Sequence, residues 1–585
     1  MARHSKRAVA LAIVAATLVG TASAAPDGFI VYKVGAAAEC TFHTIQEAVD
    51  AAAAHPGVDL VWIAMDQDYT DQHVVVADQD VDIQGGFTDC FDNDNGPEQT
   101  KLVGTSGHSV LEIEGTSNVF VQNLEITGAV MDEDHSGGGI YFGGQGSLTL
   151  QTSWVHLNQA GYGGGIDVSP SGQTTVTLTG SVVSANTALV SGGGIRIEGD
   201  TTLNVEHAND GVQFDFVTNN HALGHNNIGF GGGIEVLGPA VANVAAVVAQ
   251  NDAQYGGGIA ALAGEHGGAR VNLYAVNPGS PAAIYENAAS GTGGGVFLKP
   301  YADMGTNATL CAQNFDIHSN TASNGGAIYA DLDGDKGSGV LFNGACDGPP
   351  QGVACAAGVP CNTIHDNTTV DGSTILVQSK GFFAGDRFEM RHNGANSVIG
   401  ELTDAPTLVT ISNCLLADNT VSGSLIEGGT PGGLDIASAL YLDSCTMAGN
   451  AIGAAEVVRT TVSIFGLSNS IVDQPGKVTV DAPIVAPFQI AYVLSNDVST
   501  LPPIDGVAMG EPTFVDAANG DYRLQPTSLG VDFAPVGTTP FDLDGLPRAV
   551  DLGAAGNLWG PMDLGAYEIQ GGTVVDDTIF GDGFD

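Results

Sequence analysis

The sequence predicts an all-β protein: a solenoid of stacked parallel strands with a short N-terminal capping helix and a C-terminal β cap. Two repeating marks and the composition carry that prediction. A Gly-Gly-Gly-Ile block stands at 137–140, 163–166, 192–195, 231–234 and 256–259, continues as Gly293–Val296 and closes as Gly325-Gly326-Ala327-Ile328. An apolar residue stands three before an asparagine at Val155/Asn158, Val183/Asn186, Phe216/Asn219, Val248/Asn251, Ile284/Asn287 and Ile317/Asn320, and again, after the glycines fade, at Ile364/Asn367, Leu416/Asn419 and Met447/Asn450. The apolar residue closing each glycine block recurs every 25 to 39 residues, a period that belongs to stacked units rather than to one globular core. The net charge of −49 would suit a disordered chain, but 43% hydrophobic residues, many of them Val and Ile, argue for a buried interior.

Each unit reads strand, Asn turn, Gly turn, strand. Stretches such as 175–183 and 194–199 supply the strands, with apolar side chains pointing into the coil. Asn tolerates left-handed backbone angles and bonds neighbouring backbone groups. Stacked Asn side chains on successive turns can bond one another. Three glycines offer positive φ and no side chain at a tight corner. The spacing varies because insertions loop out while the strands keep register.

The elements follow in order. Arg3, Lys6 and Arg7 precede the apolar run 8–19, and Ala22-Ser23-Ala24 is a small-residue cleavage site. Residues 1–24 therefore read as an export signal, and the protein as extracellular or cell-surface, with no transmembrane segment in the mature chain. In 25–114, Thr44 with Glu47 makes a capping box, and Ile45, Val49, Ala52 and Ala53 give a helical apolar stripe ended by Pro56-Gly57. This helix would plug the open end of the coil, and strands follow it. Repeats fill 115–510.

The glycine and asparagine marks resemble the right-handed parallel β-helix of the pectin-lyase-like superfamily, and within it the repeats of chlamydial polymorphic outer-membrane proteins. The N-terminal segment resembles that of pectinesterases and pectate lyases. Residues 511–570 are similar to the choice-of-anchor Q domain, on Phe514-Val515-Asp516, Gly520-Asp521-Tyr522-Arg523-Leu524, Asp542-Leu543-Asp544-Gly545, Arg548 and Asp563-Leu564-Gly565-Ala566-Tyr567-Glu568; the stretch 528–534 departs from it. The acidic tail 571–585 is similar to those of some exported proteins and reads equally as a frayed terminus. The membrane barrel of polymorphic outer-membrane proteins has no counterpart here: the last hundred residues lack a set of ten-residue alternating strands.

Enzymes of this superfamily set carboxylates beside an Arg or Lys on one outward face, often with calcium. Two stretches answer to that pattern. Arg387, Glu389 and Arg391 alternate on one strand and would share a face; they are the catalytic candidates, against an ordinary face of alternating charge. Asp331, Asp333 and Asp335 alternate beside Lys336 and offer hard oxygen ligands for calcium, although Lys336 stands where an EF-hand loop has Gly and no Glu follows at its twelfth position. The histidines show no ligand spacing.

Eight cysteines, an even number, fit an oxidising compartment. Cys40 and Cys90 flank the helix and are expected to pair. Cys414 and Cys445 each stand five before an Asn and should stack on adjacent turns, within bridging range if their side chains face each other. Cys311, Cys346, Cys355 and Cys361 allow three pairings. With 16 basic against 65 acidic residues, nucleic acid and anionic membranes are excluded as partners, and mutual repulsion favours a monomer. Two functions compete: a glycan- or surface-binding, adhesin-like module without catalysis, and a secreted polysaccharide lyase or glycoside hydrolase. Regular repeats without a convincing acid–base constellation favour the first.

Overall fold

The computed structural model describes residues 30–206, 216–226, 228–277, 280–301, 303, 305–334, 336–343, 362–402, 406–429, 438–482, 488–537, 539–553 and 557–571. The export signal, the acidic tail from 572, Asp335, Cys346, Cys355 and Cys361 lie outside these residues.

Residues 174–197 show how a turn of the coil is built. The strand Thr174–Thr179 turns Val176 and Leu178 inward, Gly180 (φ 61°) makes a corner, and Val182–Ser184 turns Val183 inward. Ala185 (φ 52°) and Asn186 make the second corner, Thr187–Ser191 follows, and Gly192 (φ 69°) leads into Ile195–Ile197, whose two isoleucines also point in. The next turn stacks on this one in parallel register, Val176 on Leu203, Val183 on Val217, Ala188 on Ala222 and Ile195 on Ile234. Repetition makes a parallel β-helix of three sheets, the longest bent at its corner into two flanks. Antiparallel pairing among the described strands is confined to two excursions, Leu332–Asp333 with Lys336–Gly337 and Phe514–Asp516 with Asp521–Leu524. One aliphatic core runs from Tyr32 to Leu501, each Val, Ile or Leu contributing about 1.5–3 kcal/mol by leaving water.

The three glycines have two different physical reasons. Only the first of each block has positive φ, as at Gly192. A Cβ on Gly193 would lie 2.4 Å from the Gly232 carbonyl oxygen, and one on Gly194 2.6 Å from that of Gly233. The second and third glycines are there because the backbone of the next turn lies where a side chain would be.

The asparagines form a continuous buried ladder: Asn158, Asn186, Asn220, Asn251, Asn287, Asn320, Asn367, Asn393, Asn419 and Asn450. The Oδ1 of Asn220 accepts from both the backbone N–H and the Nδ2 of Asn186 at 3.0 Å, and Asn186 Nδ2 also donates to the Val155 carbonyl. Two positions correct the sequence reading. The ladder member in the third unit is Asn220, not Asn219, and the inward partner is Val217, not Phe216. Asn219 takes the left-handed position (φ 56°) before the ladder; a shift of one residue sends every side chain to the other face. Asn393, three after Met390, is a full member that the sequence reading passed over. At the far end Gln474, with its amide oxygen towards Asn450, accepts from the Asn450 N–H and Nδ2 and closes the ladder.

At the start, the helix Ile45–Ala53 is capped by Thr44, whose hydroxyl accepts from the Glu47 N–H and donates to its carboxylate. Ile45, Ala48, Val49 and Ala52 are continuous with the coil core. Cys40 and Cys90 are disulfide-bonded. Cys414 and Cys445 bridge adjacent turns inside the core, with Cα atoms 4.5 Å apart. Cys311 is also disulfide-bonded, to a partner outside the described residues. Among the described residues no helix is long and apolar enough to cross a membrane.

The C-terminal region from 511 lies on the flank of the last turns. The outward residues there, Leu415, Ala417, Ala448, Ile471 and Leu494, are apolar and fully buried beneath Tyr522, Leu524, Leu543, Leu564, Ala566 and Tyr567.

Candidate functional site

The strand Phe382–Arg391 carries the sequence candidates and bends at its middle. Phe388 and Met390 point into the core, so Glu389 and Arg391 share the outer face, while Arg387 sits at the corner with φ 48°. Neighbouring turns put Asn413 and Asn469 at this corner, residues better suited to left-handed angles. Arg387 donates through Nε and Nη2 to Asn343 Oδ1 and lies 3.8 Å from Asp386. Arg391 binds Glu389 at 3.0 Å, donates to the Gly520 carbonyl at 2.8 Å and stands over the Tyr522 ring. A Cβ on Gly520 or Gly545 would lie within 2.8 Å of the Arg391 or Arg387 guanidinium. Arg391 therefore holds the C-terminal region to the coil, and Arg387 lies against it at Gly545. Tyr522 Oη–Asp418, Arg548 Nε–Asn413 and Ala566 N–Thr446 complete the clamp.

Beside the clamp a pocket of about 590 Å³ runs along the coil. Its floor crosses successive turns at Phe342, Ala384, Thr410 and Tyr441 and at Asp386, Ser412, Asp443 and Ser468, with Gly537 and Thr539 of the C-terminal region on the other side. The Tyr441 ring covers Gly466 of the next turn, where a Cβ would stand 2.5 Å from Cδ1. Asp386 accepts from Ser412 Oγ and Asn413 Nδ2, both at 2.7 Å. Two turns further, Asp443 accepts from Ser468 Oγ at 2.5 Å and Asn469 Nδ2 at 2.8 Å. Both carboxylates accept from a Ser and an Asn, Asp386 also has Arg387 beside it, and the two lie two strand spacings apart, about 9.6 Å along the axis. Thr539 Oγ1 is buried without a hydrogen-bond partner. Among the described lining residues there is no Lys, Arg or His.

Sequence reasoning missed Asp386, Tyr441 and Asp443. Their signal is the polar pair at the corner of each late turn, Asp386-Arg387, Ser412-Asn413, Asp443-Ser444 and Ser468-Asn469. It becomes visible only once the turns are aligned on their inward residues.

Two other charged clusters are built into the wall. Arg196 lies in register between Asp167 and Glu235 and binds Asp167 at 2.9 Å and Glu198 at 2.5 Å. Asp167 and Glu235 are sealed, and burial lifts Glu235 to about 7. Tyr285, His318 and His365 stack on consecutive turns at 4.8 Å. Hydrogen bonding to Asp316 lifts His365 to about 9, while burial lowers His318. Neither cluster opens into a described cavity.

Of the calcium candidates, Asp331 and Asp333 begin the small hairpin excursion, and burial raises Asp331 above the usual carboxylate range. The third candidate, Asp335, lies outside the described residues. Among the described residues no three His, Cys, Asp or Glu are grouped to hold a metal, so no chemistry is derived through one. No family model matches the chain, and no curated protein matches it.

Proposed function

We propose that the protein is an exported, surface-associated β-helix that binds glycan in the groove between the coil and its C-terminal region, without turning it over. The observation that carries this reading is the groove: the Tyr441 ring beside two carboxylates that each accept from a Ser hydroxyl and an Asn amide. Aromatic faces and fixed hydrogen-bonding groups suit a saccharide. General acid–base catalysis by a carboxylate pair instead requires environments that drive the two apart. Export is supported by the basic and apolar pattern of residues 1–24. The repeats support kinship with polymorphic outer-membrane proteins, and residues 511–570 support a choice-of-anchor module.

One observation favours a hydrolase as the second reading. Two carboxylates about 9.6 Å apart stand close to the separation used by inverting glycosidases. Incubating the purified mature chain with a polysaccharide panel tests both. Retention without product is expected; new reducing ends, lost in Asp386→Asn or Asp443→Asn, would establish the hydrolase instead. Ultraviolet-absorbing unsaturated products would establish a lyase.

A further inference from the structure

We infer that the groove takes an amino sugar chain, a saccharide carrying free protonated amines, lying parallel to the coil axis. This rests on the glycan-binding reading and adds the chemical class of its ligand.

The groove sorts ligands by charge. Its described lining has two carboxylates and no cation, and Arg387, the nearest guanidinium, is engaged by Asn343. A uronate chain would bring anions against Asp386 and Asp443 with no partner for them. A neutral chain would satisfy the polar groups but leave Asp386 with only its 3.8 Å contact to Arg387, and Asp443 with no ion pair among the described residues. An ammonium group supplies both the donor and the charge, and charge-assisted hydrogen bonds are the strong ones. Each carboxylate already accepts from a Ser hydroxyl and an Asn amide.

The groove also sets the direction. Its floor crosses successive turns at one register position, so equivalent groups recur at the strand spacing, about 4.8 Å. The sequence alternates them: Asp386, Ser412, Asp443, Ser468. An extended polymer lying along the axis therefore meets a carboxylate at every second turn and a hydroxyl between. Tyr441, flat over Gly466 on the strand that carries Asp443, gives a sugar face a platform.

The test is calorimetric titration of the full mature chain, at pH 5.5 and two salt concentrations, with a de-N-acetylated glucosamine oligomer, its N-acetylated counterpart, a galacturonate oligomer and hexalysine. The amine oligomer should bind about tenfold or more tighter than the acetylated one. Asp386→Asn and Asp443→Asn, with melting temperature unchanged, should each weaken it about three- to tenfold, and Tyr441→Ala should weaken both glucosamine oligomers. Equal affinity for the two glucosamine oligomers overturns the amino-sugar assignment while leaving glycan binding intact. Hexalysine binding as tightly, or the amine oligomer binding both Asp variants as tightly as the native chain, reduces the effect to bulk attraction by a −49 chain and overturns it too. Failure of every saccharide to bind overturns the glycan reading and this one together.

Discussion

Asn219 and Asn220 stand side by side, yet they do opposite work. Asn220 is fully buried, accepts at Oδ1 from Asn186, and donates through Nδ2 to Asn251 Oδ1 and the Val183 carbonyl. The Asn219 side chain bonds Thr218 and Gln250 at the exposed corner. Asn220→Ala removes the Asn220 partner of the buried Asn186 N–H and of the Val183 carbonyl and leaves Asn186 Nδ2 only the Val155 carbonyl, at a cost of about 1–3 kcal/mol for each unsatisfied group. Asn219→Ala should cost under about 1 kcal/mol, chiefly because alanine is poorer at positive φ. Urea denaturation of the two variants measures the difference; equal losses would put the ladder one residue away from where its hydrogen bonds lie.

At the scale of elements, the C-terminal region is held by a few directed contacts over an apolar seam. Arg391 reaches the Gly520 carbonyl, Asp418 and Glu389 and covers the Tyr522 ring. Tyr522 in turn donates to Asp418. Arg391→Ala leaves the core of the coil untouched and should free the segment around 511–524. Limited proteolysis should then cut that segment faster, while the coil resists as before. If the whole chain becomes protease-sensitive instead, Arg391 supports the coil itself and not the clamp.

At the scale of the molecule, charge and burial work together in the pH response. Burial, aided by Asp563, lifts Glu568 from 4.5 to about 7, and burial lifts Asp563 from 3.8 to about 6. These carboxyls face Arg548 and Asp542 within the C-terminal region. A carboxyl whose folded pKa is raised holds its proton more tightly when folded, so its contribution is fullest below the unfolded value and is lost as pH rises through the folded one. His365, lifted from 6.5 to about 9, loses its contribution in the same direction across 6.5 to 9. Repulsion within a −49 chain adds to the trend. The melting temperature should therefore fall between pH 5 and pH 8, and Glu568→Gln should flatten the lower part of that slope. A melting temperature that rises over this range would contradict the assignment.

The sequence by itself determined the coil. Strand period, asparagine turn and glycine turn are local signals repeated at each level, and stacking like on like converts them directly into a parallel β-helix, with the capped helix Ile45–Ala53 before it. Even there, register in the third unit could not be read from residue types, because Asn219 and Asn220 are chemically identical and only the Val217 packing chooses between them. The groove was decided by tertiary structure alone. Asp386 and Asp443 lie 57 positions apart in sequence and meet because two looped turns of unequal length return to the same register. Arg387 and Arg391 were visible as paired cations, but their partners, Asn343, Gly520 and Tyr522, come from other turns and from the chain's far end. Local periodicity specifies which side chains point in. What faces an outward side chain depends on how distant segments fold back over it, and no single repeat contains that information.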